Sequence, residues 1–398
     1  MPQNPCSRKS EIAVHTSSIR KSSPKLYVQH LPRSTFAVSI SKSQEINSNL
    51  PSLLLSVLHL TGLVQKLNKG LELRNAWLVF YVLLLFKNLD MLIISIVNFN
   101  GGISFKTNLL VTITLFSNFM MWHSIRHRKN DLTSVLRMID PLHPFIYRKR
   151  TNIMVLIIFT FPIMYSFATI LVCDRTSTSI LYAYGYELKS VSAQIIVICI
   201  KTFLQFLIHS TFPFLIAILF CNLCLSCASC FNCLTRKILQ YSPEEFGLSE
   251  QIEILKQKAK LDDILDNIQI IFSLSSFLLI TSNILSCCTV LGINLNGINR
   301  RLTSVLFYGI PNLVSLIAVL WTAGGLPVEQ HELKEAFYKK VHLRFLMLRC
   351  SEELQFKREL LEKPDFVLNG CNIFFYTRSS ILTAVGTLLT YTLLVYER

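Results

Sequence analysis

The run NIFFYTRSSILTAVGTLLTYTLLVY, residues 372–396, carries a single charged side chain, that of Arg378, and only Glu397 and Arg398 follow it. An apolar helix of about 20 residues crosses the roughly 30 Å of hydrocarbon in a bilayer. This run is long and apolar enough to do so. It predicts that the last segment of the chain is a membrane helix rather than a soluble tail.

The polar positions of this run recur at helical spacing. At about 100° per residue, one arc of about 80° on the helix would carry the following side chains: Thr383, Thr387, Thr390, Leu394 and Glu397. A polar stripe on an apolar span predicts a wall that faces water. Where several copies meet on an axis, the threonines would line a pore, Leu394 would form its hydrophobic constriction, and Glu397 would place a cation-attracting ring at its mouth. The residues alone favour the alternative that the threonines bond to carbonyls four residues earlier and pack helices together.

The composition indicates a membrane protein. Of the 398 residues, 51% are hydrophobic and 16% are charged, and such a chain cannot bury its apolar surface in a soluble core and still present a charged exterior. The segments long enough to span a bilayer are 76–98, 104–123, 152–173, 193–224, 268–292, 302–324 and 372–396. An earlier run, 50–64, is short and predicts an interfacial or packing helix. We therefore predict an all-α, polytopic membrane protein with seven transmembrane helices.

The net charge of +15 is distributed as membrane orientation requires, not as nucleic-acid binding requires. With the N-terminus inside, thirty Lys and Arg residues fall on the cytoplasmic side and five on the other side. This asymmetry predicts a cytoplasmic N-terminus and an extracellular C-terminus. That topology is opposite to the topology of G-protein-coupled receptors, so we expect no G protein and no nucleic acid among the partners. The polar and basic residues 1–49 lack the apolar core of a signal peptide.

Four regions follow from these patterns. We predict a cytoplasmic arm with a short amphipathic helix in residues 1–75. We predict six transmembrane helices with a ligand pocket in residues 76–324. Residues 325–371 predict a cytoplasmic helical anchor, and 372–398 the terminal pore-lining helix. Apolar periodicity within 249–268 and 331–361 predicts helices that continue the spans into the cytoplasm. They would form an assembly platform or, alternatively, solvated connections.

Three polar side chains recur at four-residue intervals in the fourth predicted span: Lys201, Gln205 and His209. Charged and polar groups inside a membrane are costly, so they indicate a partner or a water-filled cavity. They are predicted to line a ligand pocket together with aromatic residues of the third and sixth spans, namely Tyr165, Phe167, Phe307 and Tyr308.

A purely structural interpretation of these polar residues is equally open. Lys201 would then extend its ammonium group to the outer surface, and His209 would bond to a neighbouring helix. Lys87 and Asp90 lie three residues apart in the first span, and they predict a local ion pair.

Five cysteines at three-residue spacing resemble a run of metal ligands: Cys221, Cys224, Cys227, Cys230 and Cys233. On a helix each step of three turns about 300°, so the sulfur atoms spiral apart and do not converge on one ion. They predict packing residues or, less favoured, palmitoylation sites. The sequence carries no phosphate loop, no nucleophile elbow and no His-Glu-x-x-His motif. We therefore expect no metal, no cofactor and no enzymatic activity.

The C-terminal residues resemble a family signature. In the segment 386–398 the pair Thr390-Tyr391 is followed by mostly hydrophobic residues, as in the Thr-Tyr signature of insect gustatory receptors, although Glu397 and Arg398 stand where that signature has Gln and Phe. The approach to this helix is similar too. Residues that match the family's Gly-Phe-Phe and acidic-Arg-Ser elements are Gly370, Phe374, Phe375, Arg378 and Ser379, with Thr377 in the acidic position.

This resemblance implies a tastant-gated, non-selective cation channel in the cell membrane of sensory neuron dendrites. It further implies a homo- or heterotetramer with other gustatory receptors, in which the last helix of each subunit lines a shared pore and a small-molecule tastant binds among the spans. Sugar receptors of the family tend to carry Glu after the Thr-Tyr pair, whereas this chain has Thr392, which favours a bitter or orphan receptor. The alternatives are an odorant receptor of the same superfamily and a membrane transporter or scaffold without a pore.

Overall fold

The fold is built mainly from helices. The computed structural model describes residues 52–65, 76–99, 105–139, 148–293, 302–348 and 364–396, all of which lie in one unit, Asn47–Arg398. The α-helices within these residues are α1 (Ser52–Leu60), α2 (Ala76–Phe99), α3 (Phe105–His127), α4 (Lys129–Ile139), α5 (Arg148–Val172), α6 (Arg175–Tyr182), α7 (Val191–Phe206), α8 (Phe212–Gln240), α9 (Leu248–Ile293), α10 (Ile310–Leu348) and α11 (Ser379–Tyr396). Two π-helical turns, Leu207–Thr211 and Val305–Gly309, precede α8 and α10.

Five helical segments among the described residues are long and apolar enough to cross a membrane: Trp77–Val97, Lys149–Val172, Val191–Gln240, Leu248–Leu291 and Leu302–Leu348. They contain all or nearly all of five of the predicted spans. Their large apolar side chains are exposed where no protein covers them, for example Val79 on α2 and Ile163 on α5, which are 59% and 61% exposed. Exposed apolar belts of this kind fit contact with lipid.

The predicted span 104–123 forms a helix, α3, but α3 is not one of those five segments. The helix carries Asn118, His123 and Arg126 among its apolar residues, and Asn118 is fully buried. The amide nitrogen of Asn118 bonds inside the protein, to the main-chain carbonyl of His209. Whether α3 crosses the membrane stays a prediction.

The terminal helix begins later than predicted, and its apolar part, Ser379–Leu393, is shorter than the five segments above. Residues 369–375 form a hairpin in which β1 (Asn369–Gly370) pairs antiparallel with β2 (Phe374–Phe375). Positive φ angles at Cys371 and Asn372, 55° and 58°, make the turn. Extended strands cannot continue a helix, so α11 starts at Ser379 and not at residue 372. Its 18 residues extend about 27 Å at 1.5 Å per residue.

The long helices extend well beyond a bilayer. The 46 residues of α9 extend about 70 Å, more than twice the thickness of the hydrocarbon region. Its first part and the later part of α10 confirm the helices predicted at 249–268 and 331–348. The remainder of the second predicted helix, 349–361, lies outside the described residues.

The core lies where α3, α8, α9 and α10 pack together. The cysteine run lies within α8, as the spacing predicted, and its sulfur atoms turn around the helix. Cys224, Cys227 and Cys230 are buried in the core, whereas Cys233 is exposed. The short helix α1 adds Leu54 to this core.

Candidate ligand cavity and terminal helix

Two prolines determine the backbone around the candidate site. Proline has no N–H group, and its ring clashes with the carbonyl four residues earlier in an α-helix. Pro213 follows the π turn Leu207–Thr211, and Pro311 follows the π turn Val305–Gly309 at the same distance. In both turns the helix widens, so that the N–H groups of Phe212 and Ile310 donate five residues back. π-Helical turns occur frequently at functional sites.

In the first π turn, one main-chain carbonyl accepts a hydrogen bond from a side chain on another helix. Pro213 cannot donate to the carbonyl of His209, and the side-chain amide of Asn118 on α3 donates to it instead, at 3.1 Å. The same nitrogen lies 3.5 Å from His209 Nδ1. A carbonyl oxygen only accepts hydrogen bonds, so the Asn118 atom that contacts it is the amide nitrogen, which is a donor. His209 Nδ1 faces the same nitrogen and therefore presents its lone pair.

A cavity of about 240 Å³ opens between the two π turns. Its walls come from α2, α3, α5, α7, α9 and both turns. The residues that line it are Met91, Thr114, Leu115, Tyr165, Gln205, His209, Ser210, Ser286, Thr289, Val290, Ser304 and Tyr308. It is a mixed environment of aromatic, aliphatic and hydroxyl side chains, as is common in small-molecule sites.

Four of the residues predicted for a ligand pocket lie together on this wall: Tyr165, Gln205, His209 and Tyr308. The ring of Tyr165 meets that of Tyr308 edge-on, with 5.2 Å between centroids. Phe307 does not line the cavity. It packs behind it, with its ring centroid 5.6 Å from that of Tyr165, and so supports the aromatic wall.

Phe167 and Lys201 are not among the lining residues. The Phe167 side chain is 63% exposed on α5, because it lies two residues after Tyr165 and therefore on a different face of the helix. Lys201 also lies outside the lining. Its ammonium group forms an ion pair with Asp90 on α2, rather than extending alone to a surface.

The predicted pair of Lys87 and Asp90 is confirmed, at 2.6 Å, but it is one part of a larger cluster. Lys201 bonds to the second oxygen of Asp90, and the hydroxyl of Tyr184 bonds to that same oxygen. Lys201 also donates to the Tyr184 hydroxyl at 2.8 Å. Lys87 and Asp90 are almost fully buried, where a charge requires a partner. The long separation of Asp90 and Lys201 hid this cluster from sequence reasoning.

The helix α6 packs against residues that line the cavity. Its first turn is capped by Asp174, whose carboxylate accepts from the Ser177 N–H at 3.2 Å. Leu181 and Tyr182 at its other end pack against a small apolar cluster of Met91, Ile94 and Leu115. Two members of that cluster also line the cavity, so α6 is in contact with the cavity wall itself.

The terminal helix exposes the predicted threonine stripe. Thr383, Thr387 and Thr390 are exposed in the single chain, whereas Ala384 and Leu388, about 100° further around the helix, are buried in the core. The hydroxyls of Thr387 and Thr390 bond to carbonyls four residues earlier, at 2.9 Å each. The threonine stripe is therefore exposed, as a pore lining would be. Its hydroxyls also bond to the backbone, as the helix-packing alternative predicts. The side chain of Leu394 and all of Glu397 lie outside the described residues.

The hairpin before the terminal helix is bound to α9 by polar contacts. Gln269 donates to the Asn369 carbonyl at 2.8 Å and accepts from the Asn369 N–H at 2.9 Å. The hydroxyls of Tyr376 and Ser276 are 2.7 Å apart in the core. These contacts hold the start of α11 against a long helix that also lines the cavity.

Glycines allow the close approach of this hairpin. A Cβ atom on Gly324 of α10 would lie 2.7 Å from the Arg378 nitrogen, and one on Gly370 would lie 2.4 Å from the Tyr376 hydroxyl. Both distances are shorter than any normal contact, so only glycine fits at these two positions. The Gly370 that matched the family element therefore has a packing role.

Comparison with solved structures identifies the class of fold as that of an insect olfactory receptor. The structure is similar to olfactory receptor OR5 from Machilis hrabei, with a TM-score of 0.66 and 15% identity, over 86% of this chain and 96% of that chain. OR5 in complex with eugenol matches over the same shares, with a TM-score of 0.65 and 15% identity. These structures are receptors, not enzymes. No family model and no curated protein matches the chain.

Proposed function

We propose that this chain is a subunit of a ligand-gated cation channel of the insect chemoreceptor type, with a small-molecule tastant as its ligand. The observation that carries the proposal is the receptor fold, which covers 86% of this chain and 96% of an insect olfactory receptor. One of the two receptor structures is a complex with eugenol, a small molecule of the size class that an interior cavity can admit.

The cavity between the two π turns supports a ligand-binding role. It is lined by several helices, and four residues selected for a pocket from the sequence lie on its wall. One of its walls is α9, which also holds the hairpin before the terminal helix. We propose that ligand binding is coupled to α11 through α9, the helix that contacts both the cavity and the hairpin.

The exposed threonine face of α11 supports a pore role. A pore shared between several copies needs an uncovered polar stripe of this kind. We infer a tetramer, homomeric or formed with other gustatory receptors, in which Thr383, Thr387 and Thr390 face the axis. Leu394 and Glu397 extend the same face by sequence.

A gustatory role, bitter or orphan, rests on the Thr390-Tyr391 signature and on Thr392 after it. An odorant receptor of the same superfamily is the second candidate, because the similar solved structures are olfactory receptors. The two candidates share the channel mechanism and differ in the ligand. A panel of bitter compounds and odorants applied to cells that express the chain distinguishes them by which class evokes current.

The pore assignment is tested by whole-cell recording of isosteric Thr→Val variants. Thr387→Val and Thr390→Val remove hydroxyls from the exposed stripe, and they are expected to change the conductance or the ion selectivity of evoked current. Thr392→Val is the matched control, since Thr392 is only partly exposed off the stripe and bonds to the Leu388 carbonyl at 2.7 Å. Equal currents in all three variants would refute the pore face. Surface expression without current under any ligand would favour a transporter or scaffold.

A further inference from the structure

Three buried polar atoms of residues that line the cavity have no hydrogen-bond partner in the described residues. They are Oε1 of Gln205, Nε2 of His209 and the hydroxyl oxygen of Tyr308. A buried polar group without a partner is costly. Gln205 and His209 lie one helical turn apart, so their free atoms belong to the same part of the wall.

The protonation of the His209 ring follows from its other nitrogen. Nδ1 faces the amide nitrogen of Asn118, which is a donor only, so Nδ1 must present its lone pair. A neutral imidazole with a free lone pair on Nδ1 carries its proton on Nε2. The free atom of His209 is therefore a donor, whereas the free oxygen of Gln205 is an acceptor.

The residues that line the cavity include no lysine, arginine, aspartate or glutamate. The nearby lysines, Lys87 and Lys201, both bond to Asp90, and none of these three residues lines the cavity. An ionised ligand would lose its hydration without gaining a counter-ion among the lining residues. The lining therefore offers no direct counter-ion to a carboxylate or an ammonium ion.

The volume limits the size of the ligand. A cavity of about 150 Å³ is known to hold a benzene molecule, so a cavity of about 240 Å³ has room for one ring with a short substituent. Tyr165 and Tyr308 supply aromatic walls for such a ring.

From these observations, and resting on the proposed receptor function, we propose that the cavity binds a small neutral alcohol or phenol. Its hydroxyl group donates to Gln205 Oε1 and accepts from His209 Nε2, and its apolar body lies against Tyr165 and Tyr308. A single hydroxyl is the smallest group that provides both a donor for Gln205 Oε1 and an acceptor for His209 Nε2.

The test uses three probes on the purified full chain in lipid nanodiscs. Binding is measured by ligand-induced thermal shift and by displacement of one probe by another. Para-ethylphenol carries the hydroxyl, para-ethyltoluene replaces it by a methyl group of similar size, and para-methylbenzoate carries a charge. We expect the phenol to bind about tenfold or more tightly than either other probe, since each lost buried hydrogen bond costs on that order.

Variants locate the effect. Gln205→Leu and His209→Leu are expected to reduce the preference for the phenol over the toluene severalfold each. Thr289→Val is the matched control, because Thr289 lines the cavity but its hydroxyl already bonds to the Leu285 carbonyl at 2.8 Å. That variant should keep the preference unchanged.

Three outcomes would overturn the proposal. Equal or tighter binding of para-ethyltoluene would show that the polar pair is not used, and tighter binding of para-methylbenzoate would show that the cavity accepts charge. Absence of binding by all three probes would refute the ligand class. None of these results would refute the proposed channel function. That function is tested separately by recording from the Thr387→Val and Thr390→Val variants.

Discussion

The side chain of Asn118 donates a hydrogen bond to the main-chain carbonyl of His209, at 3.1 Å, across the interface between α3 and the first π turn. The carbonyl is available because Pro213, four residues later, has no N–H group to offer it. A proline in one helix thus creates the need for an amide in another. The same contact orients the imidazole that lines the cavity.

Removal of this amide should destabilise the protein. Asn118→Leu leaves the His209 carbonyl buried and unpaired, and we expect the free energy of unfolding to fall by about 1–3 kcal/mol. Thermal unfolding in detergent measures the change. Ser117→Ala is the control, because the Ser117 hydroxyl bonds only to the Ile113 carbonyl of its own helix. Equal melting temperatures for the two variants would show that the interhelical bond contributes little.

Pro213→Ala should restore a regular helix at the cavity wall. The new N–H group can donate to the His209 carbonyl, so the π turn is no longer required. We expect weaker binding of para-ethylphenol, because His209 rotates relative to Gln205, with no loss of thermal stability. Pro162→Ala, a proline within α5 outside the cavity lining, should leave binding near the wild-type value. Unchanged binding in both variants would contradict a role of the π turn in shaping the site.

The buried carboxylate of Asp90 should be essential for stability. Asp90→Asn leaves the ammonium groups of Lys87 and Lys201 without their shared counter-ion, and losing one partner of a buried pair costs about 3–5 kcal/mol. Poor surface expression and a lower melting temperature are the expected readouts. Glu335→Gln breaks an exposed pair with Lys339 and should behave like the wild type. Normal folding of Asp90→Asn would mean that the lysines find other acceptors.

Two neighbouring glycines of α10 should respond differently to the same change. Gly324→Ala places a methyl group against the backbone at Arg378, and such overpacking typically costs about 1–3 kcal/mol. Gly325→Ala meets no atom within 4 Å, and a better helix former there should be neutral or slightly stabilising. Thermal unfolding compares the pair. A loss of ligand-evoked current in Gly324→Ala at normal surface expression would further link the hairpin to gating.

The position Glu397, which lies outside the described residues, can be tested by restoring the family residue. Glu397→Gln removes one negative charge per subunit from the proposed pore mouth, so evoked current should carry fewer divalent cations relative to sodium. Reversal potentials in solutions with different calcium concentrations measure this selectivity. Glu335→Gln, a neutralisation on α10, serves as the control. Identical selectivity of the two variants would exclude Glu397 from the permeation path.

Much of the helical framework was predictable because its signals are local. Apolar runs of sufficient length mark five segments that the structure also contains, and the periodicity of 249–268 predicts the first part of α9. The four-residue recurrence of Gln205 and His209 placed both on one face, and both line the cavity. These inferences depend only on the spacing of residues within one helix, and this spacing can be read directly from the sequence.

The sequence by itself determined that this is a helical membrane protein with a polar face in its fourth predicted span and a threonine stripe near its end. Only the tertiary structure decided that Lys201 pairs with Asp90, 111 residues earlier, that Phe167 is exposed, and that a hairpin delays the last helix until Ser379. The physical reason is that ion pairs, cavities and hairpin docking depend on which distant segments meet. Local periodicity determines which face of its own helix a side chain occupies. The packing of the whole chain determines which residue that face contacts.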